Sequence, residues 1–174
     1  RTKAAVQGRR IVVAQDTTEV NFAGRARRRK DLGPGGDGAS PGFFIHPLIV
    51  VDAATEAVLG LAGSEQWTRA AGKVADRRRR ALDAKESRRW LRGAETAGAA
   101  LAGAAQIVVA GDRENDIYGC FAAKPDAVDL IVRAAQDRAL AEGGSLHKAA
   151  AGWPVLASTN VAVAAKPAGA KGGP

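Results

Sequence analysis

Two short runs of the chain are apolar at every position. Ile11-Val12-Val13-Ala14 lies between Arg9-Arg10 and Gln15-Asp16, and Ile107-Val108-Val109-Ala110 ends in Gly111-Asp112. Unbroken β-forming runs of this length predict central strands covered on both faces. Between them, Phe43 to Val51 is apolar, Asp52-Ala53-Ala54-Thr55-Glu56 reads as a turn, and Ala57 to Ala62 returns, which predicts a hairpin. The period then changes. Asp83 followed by Glu86 has capping-box spacing, and Trp90, Leu91, Ala94 and Leu101 share one helical stripe. Lys85, Arg88, Arg89 and Arg92 lie away from that stripe and read as a solvated helix face. Asn115 to Ala123 is expected to form a short helix, and Asp129 to Arg133 a further strand.

Elsewhere the pattern fails. Arg25 to Lys30 is a basic run, Asp31 to Gly42 is rich in Gly and Pro and reads as a surface loop, and Ala70 to Arg80 is a polar, basic connection. Beyond about Leu140 the periodicity weakens. Pro154 to Val163 is compatible with a strand pair or one bent strand, and Ala164 to Pro174 has no means of packing. No internal repeat is visible. The order strand, hairpin, helix, strand, helix, strand predicts an α/β layer fold. In such sheets ligands gather beyond the carboxyl ends of the strands, where Asp16 and Asp112 both fall.

Composition then changes the picture. The 174 residues carry a net charge of +8, which points to a polyanionic partner, nucleic acid being the usual one. A lone cysteine, Cys120, excludes an internal disulfide and a cysteine-rich zinc site. The chain has no Met and opens Arg1-Thr2-Lys3, so we read it as an internal fragment of a longer protein. No apolar stretch is long enough to predict a membrane span, and abundant Ala and Gly fit a bacterial chain from a GC-rich genome.

Two ionised carboxylates about 4 Å apart repel by roughly 4 kcal/mol at an effective dielectric of about 20. A fold that brings Asp16 and Asp112 together therefore needs a cation between them, or a proton on one. Mg²⁺ or Mn²⁺ suits such a pair, because Mg²⁺ accepts one or two carboxylates and completes its shell with water and phosphate oxygens. Two such ions activate the nucleophile and stabilise the leaving oxygen of an in-line displacement at phosphorus. The alternative is that each Asp caps the turn after its strand. A haloacid-dehalogenase-type phosphatase is another alternative. Gly111-Asp112-Arg113-Glu114-Asn115-Asp116 fits its second motif, but Thr18 stands where its first motif needs an Asp.

Gln15-Asp16-Thr17-Thr18 and Gly111-Asp112-Arg113-Glu114-Asn115-Asp116-Ile117-Tyr118 resemble the bacterial cut-and-paste DDE transposases of the insertion-sequence-four type, the transposon-five-like group. The similarity extends to Ile45-His46-Pro47-Leu48-Ile49-Val50-Val51-Asp52, to Leu59-Gly60-Leu61 with Glu65-Gln66-Trp67, and to Lys85-Glu86-Ser87-Arg88-Arg89-Trp90-Leu91. These segments follow the family's order and cover roughly Ile11 to Arg138, the run Asp-Arg-Glu-x-Asp being the most specific.

The resemblance implies an RNase H-like mixed sheet with flanking helices. It makes Asp16 and Asp112 the first two members of an acidic triad holding Mg²⁺ or Mn²⁺. It also implies DNA as partner, both transposon ends and target, with the parent protein dimeric in a DNA-bound complex of the bacterial cytoplasm. Residues 1–142 would be an incomplete catalytic core, and 143–174 the start of the family's β-rich insertion and a tail. The family's third ligand is a Glu within a Tyr…Arg…Glu…Lys signature, and no such signature occurs in this chain. The fragment is therefore expected to be inactive on its own. A truncated, non-catalytic remnant that still binds DNA is the alternative.

Around the pair, Arg113 and Glu114 are candidates for orienting Asp112 or touching phosphate, or for a local ion pair at a helix start. Asp116 reads as structural. His46, in an apolar strand, reads as a hydrogen-bonded core histidine, and Trp67, Trp90 and Trp153 as packing residues.

Overall fold

The computed structural model describes residues 1–22, 31–37, 40–70 and 86–162. In chain order the elements are helix α1 (Thr2–Ala5) and strands β1 (Arg10–Gln15), β2 (Thr18–Asn21), β3 (Gly33–Pro34), β4 (Pro41–Asp52) and β5 (Val58–Trp67). They continue with helix α2 (Arg88–Ala100), strand β6 (Gln106–Gly111), helix α3 (Tyr118–Ala123), strand β7 (Asp129–Val132) and helix α4 (Leu146–Ala151).

The two apolar runs become β1 and β6. They are neighbours and parallel, Arg10 opposite Gln106 through Ala14 opposite Ala110. On its other side β1 pairs antiparallel with β4, Ile11 opposite Asp52 through Gln15 opposite Leu48. The predicted hairpin is β4 and β5, and β7 extends the sheet parallel to β6. The chain is thus mixed α/β, with an antiparallel side (β5, β4, β1) and a parallel side (β1, β6, β7) that share β1.

Helix α2 lies against this sheet. Ala94, Ala97 and Leu101 pack with Ile11, Val13, Leu48, Val50, Ile107 and Val109, and Val6 and Val128 close the same cluster. Val13, Val50 and Val109 are fully buried, and burying a side chain of this kind contributes roughly 1.5–3 kcal/mol. Trp90 and Leu91 form a second cluster with Cys120.

Several expectations need correction. The central position of β1 holds, but its burial alternates. Ile11, Val13 and Gln15 are buried, whereas Val12 is half-buried and Ala14 exposed, so α2 covers one face. The Gly-Pro-rich segment is not wholly a loop: Gly33-Pro34 pairs with Pro41-Gly42, and β4 already begins at Pro41. A Cβ at residue 33 would run into the Arg69 backbone, so Gly is what lets that segment lie against β3. Helix α2 starts at Arg88 with Ser87 at its N-cap, and Glu86 bonds Arg69 (Nε to Oε1 2.8 Å). The helix expected from Asn115 is a 3₁₀ turn at Arg113–Asn115 followed by α3. Asp83 and Lys85, the run Arg25 to Lys30 and almost all of Ala70 to Arg80 lie outside the described residues.

Two compact units divide the chain, Arg1–Gln136 and Asp137–Pro174. In the second, Ala139 bridges Ser145 around a turn in which Gly143 (φ 91°) and Gly144 (φ 80°) take left-handed backbone, and the expected boundary at residue 142 falls inside this turn. Helix α4 follows, with Asp137 Oδ1 accepting from the His147 amide (2.8 Å). The strand expected from Pro154 is absent from the described residues 154–162, whose side chains are exposed. Among the described residues no helix is long and apolar enough to cross a membrane.

Candidate metal centre at two parallel strand ends

Asp16 directly follows β1 and Asp112 directly follows β6. The parallel register ends with Ala14 opposite Ala110, and two further residues along each strand bring Asp16 beside Asp112. Adjacent strands are about 4.8 Å apart, so the two carboxylates leave neighbouring backbones at the same level of the sheet. Strand β2 resumes at Thr18, opposite Ile45, on the side of β4 that β1 has just left at Leu48. Asp16-Thr17 is therefore a two-residue break in a nearly continuous strand. It stands across from His46-Pro47, and Pro47 has no N–H to offer a ladder.

Both carboxylates are exposed, and each is oriented by the backbone that follows it. Asp16 Oδ1 accepts from the Thr17 amide at 2.7 Å. Asp112 Oδ1 accepts from the Glu114 amide at 2.8 Å, capping the 3₁₀ turn. Among the described residues neither Oδ2 has a protein donor. Two oriented carboxylates, each with one free oxygen and open to solvent, fit a hard cation that keeps most of its water. Among the described residues no group of three or more His, Cys, Asp or Glu is placed to hold a metal. Asp116 belongs to a different role. It is buried, and its Oδ2 accepts from the amides of Ala135 (2.7 Å) and Gln136 (2.6 Å). Arg113 is exposed beside Asp112.

Beneath the aspartates runs a polar chain that the sequence did not disclose. Arg89, expected on a solvated face, is 8% exposed. Its Nε donates to Thr17 Oγ1 (2.8 Å) and its second terminal nitrogen to Glu114 Oε2 (3.0 Å). The guanidinium carbon lies 5.4 Å from the ring centroids of both Trp67 and Trp90. Thr17 Oγ1 also meets His46 Nδ1 (3.0 Å), and His46 Nε2 meets Gln15 Oε1 (3.2 Å). The imidazole stands edge-on to Trp90 at 4.7 Å.

Burial, and then the neighbouring Arg89 charge, lower the His46 pKa from 6.5 to about 4, against smaller raising effects of Glu65 and Asp16. His46 is therefore neutral at pH 7, with one N–H. Because Gln15 Oε1 only accepts, that proton sits on Nε2, and Nδ1 accepts from the Thr17 hydroxyl, which in turn accepts from Arg89. From Arg89 through Thr17 and His46 to Gln15 the donors all point one way, while Arg89 also donates outward to Glu114. The Gln15 Nε2 and both Asn115 amide atoms are buried without a partner among the described residues.

The chain matches no protein-family model and no curated protein.

The remaining cations of α2 are tied down as well. Arg88 pairs with Glu95 (3.0 Å) and Arg92 with Glu65 of β5. The Arg92–Glu65 pair lies at the surface and carries small energetic weight, whereas Arg88 is half-buried. Both pairs take positive charge out of the surface that composition assigned to a polyanion.

Proposed function

We propose that this chain carries the first two-thirds of the acidic triad of a DDE transposase of the insertion-sequence-four type, on an RNase H-like sheet. Asp16 and Asp112 hold Mg²⁺ or Mn²⁺, and the substrate is DNA in the bacterial cytoplasm. The observation that carries the reading is the parallel, in-register adjacency of the two strands that end in these aspartates. Had β1 and β6 not been neighbours, the pair would not exist.

Two further features support it. The antiparallel β5-β4-β1 side joined to the parallel β1-β6-β7 side fits an RNase H-like sheet. The Oδ2 of each aspartate, without a donor among the described residues, fits a cation that completes its shell with water and phosphate. When bound, the metal would supply activation of a water or 3′-hydroxyl and stabilisation of the leaving oxygen. The chain's own residues orient: backbone amides fix one oxygen of each carboxylate, and Arg113 stands exposed where a phosphate could meet it.

With two carboxylates and no third, we expect weak metal binding and no DNA cleavage by this chain alone. That expectation merges with the second reading, a DNA-binding remnant without catalysis. The phosphatase reading is disfavoured by Asp116, whose carboxylate is committed to the amides of Ala135 and Gln136.

Mn²⁺ binding followed by electron paramagnetic resonance tests the proposal. We expect binding by the wild type and its loss in Asp16→Ala and in Asp112→Ala. Equal binding by all three, or none by the wild type, refutes the metal pair. Separately, affinity for duplex DNA should fall steeply between low and physiological salt. Affinity that ignores salt removes DNA as the partner.

A further inference from the structure

The two aspartates sit on separate turns, and nothing in their own strands fixes one turn against the other once the ladder ends. One side chain reaches both. Arg89, at the start of α2, bonds Thr17, the residue after Asp16, and Glu114, the residue whose amide holds Asp112. We propose that Arg89 is a positioning residue, a latch that locks the Asp16 turn to the Asp112 turn. The proposal deepens the metal-pair reading and rests on it for its purpose, though the latch itself is observable without metal.

The chemistry favours this role over simple packing. Burying a guanidinium is costly unless its donors are used, and Arg89 directs two of them at the two turns. Glu114, at 59% side-chain exposure, fills no core, so packing does not explain its contact with Arg89. The requirement is for a planar fork with donors at a fixed angle, which Arg has and Lys lacks. The fork is itself held. Trp67 and Trp90 flank the guanidinium, and His46 on Gln15 fixes the direction of the Thr17 hydroxyl that receives it. A shift of Thr17 therefore moves Arg89, and through it Glu114 and the amide that grips Asp112.

The test uses the full chain and substitutions on either side of the latch. Thr17→Val removes the hydroxyl at constant shape and charge, Thr17→Ser restores it, and Glu114→Gln cuts the other end. Hydrogen exchange is read at the amides of Thr17 and Glu114, and Mn²⁺ affinity alongside it. We expect Thr17→Val to speed exchange at the Glu114 amide, on the far turn, and Glu114→Gln to speed it at the Thr17 amide. Thr17→Ser should behave as wild type. Mn²⁺ affinity should drop about ten-fold in Thr17→Val and in Arg89→Lys, the size typical of groups that orient metal ligands, and not in Thr17→Ser. If each substitution loosens only its own turn, the latch is refuted, whatever the metal does. If exchange at the two turns is coupled but the wild type binds no Mn²⁺, the latch stands and the metal reading falls.

Discussion

Gly93 offers a test of how closely α2 is seated over the polar chain. In an exposed helix interior Gly→Ala is worth about 1 kcal/mol of added stability. At this position a Cβ would clash with Gln15 Oε1 and stand 3.1 Å from Leu48 Cδ2. Gln15 would have to move, yet it is 4% exposed and is the acceptor for His46 Nε2. Stranding that buried donor costs about 1–3 kcal/mol, and crowding against Leu48 costs about 1–3 kcal/mol more. Net of the helix gain, Gly93→Ala should destabilise by about 1–5 kcal/mol. A loss of about 3 kcal/mol lowers the melting midpoint by roughly 6–12 °C for a chain of this size. Gly98→Ala on the same helix is the control. Its Cβ would meet Val128 Cγ2 at 3.2 Å, a methyl contact that a small shift relieves, so stability should stay within about 1 kcal/mol of wild type. Thermal and urea denaturation at neutral pH measure both. In a Gln15→Ala background the Gly93→Ala penalty should shrink, because its nearest obstacle is gone. A Gly93→Ala protein as stable as wild type, or a penalty unchanged by Gln15→Ala, would refute the reasoning.

Other outcomes follow from the same contacts. The His46 pKa is depressed from 6.5 to about 4, so between those values the unfolded chain binds more protons than the folded one. The His46 contribution should therefore be intact above pH 6.5 and decline as pH falls towards 4. Denaturation at stepped pH, with His46→Gln flattening that part of the profile, checks it. Asp116→Ala should cost about 1–3 kcal/mol by stranding the amides of Ala135 and Gln136, and limited proteolysis should then cut near them. The Asp52 carboxyl is held below its ordinary range by Arg9 and by the amides of Ala54 and Thr55. Asp52→Ala should therefore lower the melting midpoint more than Glu95→Ala, which removes a single ion pair of an exposed Glu with half-buried Arg88. If Glu95→Ala proves the more damaging, the turn after β4 is less dependent on Asp52 than its bonds indicate.

The strands were legible because their signal is local. Ile11 to Ala14 and Ile107 to Ala110 are apolar at every position, and nothing nearby competes with extended structure. Their matching Asp termini mark two turns that prove to follow neighbouring parallel strands. What sequence could not supply was adjacency, since parallel pairing leaves no turn between partners to mark it. Arg89 escaped for a different reason. It falls on the line 89, 93, 97, all buried, but Gly93 and Ala97 carry too little side chain to reveal that line as a packed face. Thr17 and Gln15 were hidden beside the more conspicuous Asp16. The strand β2 was missed because Thr18-Glu19-Val20-Asn21 is only four residues long, and it is held by pairing with β4 rather than by its own propensity.

The β1–β6 pairing joins residues 96 apart in sequence, whereas β4 and β5 are joined by a short turn after Asp52. Closing the longer loop costs more chain entropy, and contacts of that separation form late and slowly. The hairpin should thus assemble first and the aspartate pair last, when α2 and β6 dock. In a refolding experiment the hairpin's β-sheet circular dichroism should therefore rise before any site-dependent signal. A chain cut short of Gln106 would keep the hairpin sequence and lack both β6 and Asp112.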